Sequence, residues 1–319
     1  MNVMKPIDDG GIPVLLKFSN IGREHFDYPK EIEAIELAKT KGWREALEIL
    51  YDAEMVRYST DTPRLKFLDL LPLSKESNVL EIGIGFGQHT LEIAKRVKQL
   101  DTLEIRWVNS MFTKIRCEQE GVTNVSFKCG GDDCRVPFSD SSYDIVVLNL
   151  VLEWCAGALP SESRQAGQQR LLAEIHRVLK PGGIVQVNTK NRFAYRLLLG
   201  GRDEHVFEMR FGSALPRWLL KLILRAKGKA QPPGYLHSYN ALERLLRKAG
   251  LDTVQSYWAA PEMRFPISFI PVDAASVREA RKQLSRQGHS RSTNLLTRLT
   301  PASFVRHVMP GFFFIARKS

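Results

Sequence analysis

Cysteine is scarce and never closely paired: Cys117, Cys129, Cys134 and Cys155 form no Cys-x-x-Cys. This argues against a zinc site and against a disulfide framework, and the thiols read as reduced residues of the core or near a site. No stretch approaches the roughly 20 consecutive apolar residues that a spanning helix requires. Residues 1–11 lack the basic start and apolar core of a secretory signal. A cytoplasmic location is the resulting expectation. Internal repeats and low-complexity tracts are also missing, which excludes a repeat array. Acidic residues thin out along the chain: residues 1–190 carry 24 basic and 27 acidic side chains (net −3), and residues 191–319 carry 22 and 8 (net +14). A basic surface of this kind suits nucleic acid, anionic lipid or a phosphorylated substrate, and charge alone does not choose among them.

What the chain does have is 319 residues, 44% of them apolar, enough for a sizeable globular core. It is organised around residues 78–96. Val79 to Ile82 read as a buried strand, while Leu91, Ile93, Ala94 and Val97 recur at helical spacing. Gly83, Gly85 and Gly87 therefore fall in the turn between strand and helix. Glycine is needed there because backbone must pass close to a ligand with unusual dihedrals. Gln88 stands where the dinucleotide fingerprint Gly-x-Gly-x-x-Gly places its third glycine, which argues against a nicotinamide dinucleotide.

Before this stretch, residues 30–57 carry two helical patterns broken at Lys41-Gly42, and a third pattern begins near Pro63 and stops at Pro72. Residues 1–72 are thus expected to be a helical segment covering the core, ahead of a main domain over 73–319. Beyond the glycine turn, strands are expected at Leu100–Glu104, Val125–Cys129, Tyr143–Leu150 and Ile184–Asn188, alternating with helices. That rhythm calls for a parallel sheet with helices on both faces. It stops at residues 191–237, read as a cap insertion, and resumes with a helix over Ser238–Ala249 and a strand at Thr253–Trp258. Residues 261–310 read as a second insertion. The apolar run Phe312 to Ile315 predicts a last, internal strand.

In register, these elements resemble the class I S-adenosylmethionine-dependent methyltransferases over residues 78–190. Glu81 before Gly83, Gly85 and Gly87 matches their first motif, and Glu104 stands where the family places the acid that holds both ribose hydroxyls. Asp101 competes for that role. Asp132 and Asp133, ahead of Val136-Pro-Phe138, resemble the third motif, whose acid accepts from the adenine amino group. Asp144 opens the fourth motif, and Asn149 at its end is assigned to the donor. Pro181-Gly182-Gly183 is the family's helix-to-strand turn. The fold implied is α/β: a doubly wound, mostly parallel seven-stranded sheet with an antiparallel last strand, amino-terminal helices and a helical cap. The cofactor implied is S-adenosylmethionine, with no metal needed. The string Leu148 to Trp154, with Lys190 to Phe193, Gly200 to His205 and Leu215 to Trp218, is similar to methyltransferases encoded among bacterial surface-glycan genes. Leu150 occupies a place that many such relatives fill with glycine.

Methyl transfer to a hydroxyl requires alignment of the nucleophile and removal of its proton. His205 with Asp203 and Glu204 is the richest titratable cluster in the cap, so His205 is the candidate base, with Asp203 or Glu204 orienting its ring. His237 reads as a helix-entry residue. Glu153, Trp154, Arg192 and Tyr195 are the candidate acceptor contacts. Residues 215–229 alternate apolar and basic faces and fit a lid helix or a membrane-surface helix at the inner face. The expected acceptor is a small molecule or glycan, lipid-linked ones included. A nucleic-acid methyltransferase is the alternative; against it, residues 149–152 lack the Asn/Asp-Pro-Pro-aromatic signature for base amines. A non-catalytic donor-binding protein is the third reading.

Overall fold

The computed structural model describes residues 10–17, 28–157, 159, 163–284 and 300–319. Most of the stretch 1–11 and residues 285–299 of the second insertion lie outside them. Three helices precede the sheet: α1 (Tyr28–Lys41), α2 (Trp43–Leu50) and α3 (Ala53–Thr60), followed by a 3₁₀ segment at Thr62–Leu70. The sequence pattern joined α2 and α3 into one helix. They separate because Asp52 turns extended and its carboxylate accepts from the Met55 backbone N–H at 2.8 Å, capping a new helix.

The central sheet follows the order β3-β2-β1-β4-β5-β10-β8-β9. Its strands are β1 (Asn78–Ile82), β2 (Gln99–Glu104), β3 (Val125–Cys129), β4 (Tyr143–Asn149), β5 (Leu179–Lys190), β8 (Leu251–Ala260), β9 (Ser268–Pro271) and β10 (Gly311–Lys318). Between them lie α4 (Gln88–Ala94), α5 (Trp107–Gln119), α6 (Arg164–Val178) and α9 (Tyr239–Lys248), with α10 (Ala274–Leu284) after β9. The first five strands pair in parallel. β10 runs antiparallel between β5 and β8. The chain leaves β1 to one side for β2 and later returns to its other side with β4, so the topological switch point lies between β1 and β4, where open α/β sheets bind ligands.

The sheet has eight strands, one more than the seven expected. The extra strand, β9, falls in the second insertion, where Pro266 and Pro271 give the sequence an irregular look. An edge strand tolerates proline because one side of its backbone needs no partner. The Pro-Gly-Gly turn is present as a bulge: Tyr143 pairs with Leu179 but Ile145 with Ile184, and Gly182 takes φ 74° between them.

β10 shows why the middle of the sheet is so apolar. Phe312 and Phe314 enter the core cluster under α6 and α9, while Phe313 and Ile315 enter the cluster on the other face with Phe67 and Val79. Period-2 alternation therefore still operates, with both faces apolar because both are covered. The cap contains α7 (Tyr195–Leu198), a two-stranded ribbon of β6 (Arg202–Asp203) and β7 (Met209–Arg210), and α8 (Arg217–Ala226).

Candidate active site

All three glycines of the turn after β1 have positive φ: 77° at Gly83, 52° at Gly85 and 76° at Gly87. A Cβ on Gly83 would lie 2.2 Å from Val151 Cγ2, and one on Gly87 would lie 2.4 Å from Thr113 Cγ2. Those two are glycine partly because neighbours press on them. A Cβ on Gly85 would meet nothing within 4 Å, so its backbone is bent toward open space. The turn is held from behind by α5, where Thr113 Oγ1 donates to Gly85 O at 3.2 Å and an Arg116 N–H donates to Phe86 O at 2.8 Å.

Two acids flank this turn. Glu104, at the end of β2, accepts from the Ile84 N–H through Oε2 and from the Arg106 N–H through Oε1, both at 2.9 Å. Burial raises its pKa against those bonds. Each carboxylate oxygen keeps a further lone pair, so the group can still accept from a diol. Asp101 lies toward the other end of β2, where its carboxylate accepts from Tyr143 Oη at 2.6 Å. Glu81 accepts from Thr90 Oγ1 at 2.6 Å through Oε2, while its buried Oε1 has no hydrogen-bond partner among the described residues. Burial pushes Glu81 up to about 8. An orphaned buried oxygen and a glycine backbone facing open space are what a polar ligand at this end of the sheet would satisfy.

The elevated Glu81 has a measurable consequence. In the unfolded chain it ionises near 4.5, whereas the folded protein keeps its proton to about 8. Folding therefore loses stability as pH rises through that window, at about 1.4 kcal/mol per pH unit. Glu81→Gln should stabilise the donor-free protein increasingly from pH 5 to pH 8 and leave it unchanged at pH 4, as read by urea unfolding. A pH-independent difference would mean that Glu81 is ionised in the fold.

Asp132 is buried, and both its oxygens face the Lys17 backbone N–H, at 2.9 and 3.2 Å. Asp133 forms an ion pair with Lys17 Nζ at 2.7 Å. The segment around Val14, which bridges to Cys129, thus lies against the third-motif acids. Asn149, half-buried, belongs to an amide chain that runs across the strand ends from buried Gln186 and Asn188. Gln186 donates to Asn188 Oδ1 at 2.7 Å, Asn188 donates to Asn149 Oδ1 at 2.6 Å, and Asn149 Nδ2 lies 3.1 Å from His89 Nδ1. Sequence reading missed His89. Burial, with Arg64 and Arg116 adding to it, holds its pKa well below the ordinary value, so it is neutral. With Asn149 donating to Nδ1, the proton is on Nε2, which has no partner among the described residues. The available signal was its place in the first turn of the helix after the glycines.

The acceptor-side candidates converge from separate segments. His205 and Asp203 are both about 2% exposed or less, and His205 Nδ1 lies 3.2 Å from Asp203 Oδ1. Asp203 also accepts from the backbone N–H groups of His205 at 3.0 Å and Ser213 at 2.6 Å. Burial alone would raise its pKa; these bonds outweigh burial and lower it. Asp203 is then an acceptor-only anion, so the ring nitrogen that faces it, Nδ1, is the donor of the pair. The ring stacks on Trp154, centroids 4.4 Å apart at 27°. Glu204 lies 3.8 Å from His205 Nε2 and pairs with Lys190; burial opposes its ionisation, but Lys190 and His205 prevail and lower its pKa. Residues 234–235 stitch the cluster to the end of β4: the Gly234 N–H donates to His205 O, and the Tyr235 N–H to Glu153 O. The Glu153 side chain is buried with both oxygens unpartnered among the described residues, and burial raises its pKa despite the nearby His205 and Lys190.

Beside this cluster lies a cleft of ≈ 930 Å³ lined by His205, Asp203, Glu204 and Lys190 together with Arg57, Glu262 and Arg264. The last three come from α3 and the second insertion, which sequence reading did not connect to the site. Arg192 does not line the cleft. Its guanidinium donates to the carbonyls of Ser213 and Leu215, both at 2.7 Å, and so braces the cap where an acceptor contact was expected. Tyr195 opens α7, and the cleft is reached by its neighbours Ala194 and Arg196 instead. His237 is buried against Gln168 Oε1 at 2.7 Å, and burial with Arg217 and Arg192 lowers it to about 4, away from base duty.

A family model described as a methyltransferase domain matches residues 80–187. Among curated relatives, the malonyl-[acyl-carrier protein] O-methyltransferase of a Marinomonas species is 28% identical over 124 residues, covering 39% of this chain and 42% of that one. The trans-aconitate 2-methyltransferase of Deinococcus radiodurans is 28% identical over 152 residues, covering 46% and 53%. The chain thus spans about half the length of these relatives. In fold, it is similar to the methyltransferase solved with the Trm112 activator of Haloferax volcanii: TM-score 0.50, 14% identity, covering 86% of this chain and 96% of that one. The sheet is Rossmann-like, and residues 80–187, which hold the glycine turn, match a methyltransferase domain.

Proposed function

We propose that the protein methylates an oxygen of a small-molecule or glycan acceptor, lipid-linked acceptors at the inner membrane face included. The observation that carries this reading is the buried Asp203–His205 pair bordering the cap cleft. S-adenosylmethionine, when bound, supplies a methyl group on a positively charged sulfur. Gly85 would let the backbone of the turn come close to it, and Glu104 would accept from the ribose hydroxyls. Asp132 and Asp133 would hold the adenine, and Asn149, fixed at the end of β4 by Asn188, would also face the donor. On the acceptor side, Asp203 holds His205 Nδ1–H, which leaves the Nε2 lone pair to take a hydroxyl proton as the carbon–oxygen bond forms. Trp154 stacks on the imidazole and keeps it in plane, while Glu153 is buried and does not line the cleft, so it supports the cluster and makes no acceptor contact.

The test is transfer from methyl-labelled S-adenosylmethionine into the water-soluble and lipid-soluble fractions of a cell extract. Label should appear as an O-methyl group in one of them. Gly85→Val should weaken donor binding at least tenfold by calorimetry and abolish labelling with it. Label confined to RNA or DNA would replace this reading with a nucleic-acid methyltransferase.

A further inference from the structure

The cap carries an apolar surface that the methyl-transfer site does not use. Trp218 is 70% exposed and Leu222 60%, one helical turn apart on α8, while Leu220 and Leu224 on the opposite face bury against Val206. Phe207, Phe211, Leu198 and Leu199 are exposed too. Three contacts bring their segments together. A Cβ on Gly200, next to Leu199, would lie 3.0 Å from the Phe211 ring, and the Leu215 N–H, just ahead of α8, donates to Phe211 O at 3.0 Å. Lys229, past the end of α8, lies 5.3 Å from the Phe207 ring. The backbone is bent to present this surface, since Phe207 and Phe211 take φ 52° and 61°, a conformation that side-chain-bearing residues rarely adopt.

Along α8 and the turns on either side of it the border of the patch is basic, with exposed Glu208 beside Phe207 the acidic exception. From Met209 to Lys229 there are six basic residues and no acidic one. Arg217 turns inward onto Tyr235, but Arg210, Lys221, Arg225 and Lys227 are exposed and make no ion pair among the described residues. Exposed aromatic and aliphatic side chains framed by unpaired lysine and arginine complement a surface with anionic headgroups outside and acyl chains beneath. No helix among the described residues is long and apolar enough to cross a membrane, so the contact is a surface one. We infer that this face of the cap, centred on Trp218 and Leu222 and rimmed by Lys221 and Arg225, docks on an anionic lipid surface.

Docking would bring the acceptor cleft to the membrane, because Arg202, Glu204 and Glu208 line that cleft and Phe207 lies between them in sequence; this orienting role rests on the function proposed above. The lipid contact itself is tested without methyl transfer. The full chain is sedimented with phosphatidylcholine vesicles and with vesicles containing phosphatidylglycerol. Binding to the second kind should be at least tenfold stronger and should weaken with salt. Trp218→Ser/Leu222→Ser and Lys221→Glu/Arg225→Glu should each reduce it about tenfold, with unchanged thermal unfolding and unchanged donor affinity. Equal binding to both vesicle types, or variants that bind like the wild type, would overturn the inference. So would light scattering that shows a dimer which Trp218→Ser/Leu222→Ser dissociates, since the patch would then be a contact between copies of the chain. A protein that binds vesicles as described but labels no acceptor would leave the docking surface standing and remove only the proposed function.

Discussion

His205→Ala should lower turnover about 100-fold or more while S-adenosylmethionine affinity changes little, the range expected when a proton acceptor is lost. A hydroxyl is a weak nucleophile until its proton leaves, and the function proposed above hands that proton to the His205 imidazole. Nδ1 faces the Asp203 carboxylate at 3.2 Å, the ring stacks on Trp154, and Nε2 has no protein partner to displace among the described residues. Asp203→Asn should also reduce turnover, because an amide can present its N–H to Nδ1 and favour the tautomer whose proton is on Nε2. Donor binding measured by calorimetry in both variants separates this role from a collapse of the cap. Near-normal turnover in His205→Ala with the true acceptor would show that alignment alone carries the reaction and that His205 packs the cap.

The second large effect is structural. Truncation after Pro310 should abolish soluble, cooperatively folding protein, because β10 lies between β5 and β8 in the sheet. Phe312, Phe313 and Phe314 are fully buried. At roughly 1.5–3 kcal/mol for each buried large apolar side chain, their loss with Ile315 is comparable to the whole stability of a typical domain, about 5–15 kcal/mol. The cut would also strip hydrogen-bond partners from two neighbouring strands. A truncated chain with a sharp thermal transition would refute the assignment of β10 as an indispensable central strand.

Much of this was readable in residue order because local pattern and tertiary role agree. Phe312 to Ile315 is too apolar for an edge, and the structure buries both its faces. The glycines at 83, 85 and 87 announced a tight turn, and each has positive φ. What could not be read is what depends on distant partners. β9 is a strand because β8 offers it an edge, not because Ser268–Pro271 has strand composition. Arg192 looked like an acceptor ligand, yet the fold of the cap brings two carbonyls to its guanidinium. Arg57 and Arg264 reach the cleft from opposite ends of the chain, and no spacing rule connects them. His89 was passed over because its meaning lies in the amide chain ending at Asn149 and not in its neighbours.

The position of β10 also orders events during synthesis. Its two partners, β5 and β8, are made earlier, and until residues 311–318 emerge from the ribosome each presents an open edge toward the gap between them. The parallel half, β1 to β5, can associate while translation continues, but the sheet closes only with the last strand. Unpaired apolar edges of that kind are prone to intermolecular pairing. Growing chains of this protein should therefore depend on holding factors until β10 is available, and a slowed ribosome anywhere between β8 and β10 would lengthen the interval in which they aggregate.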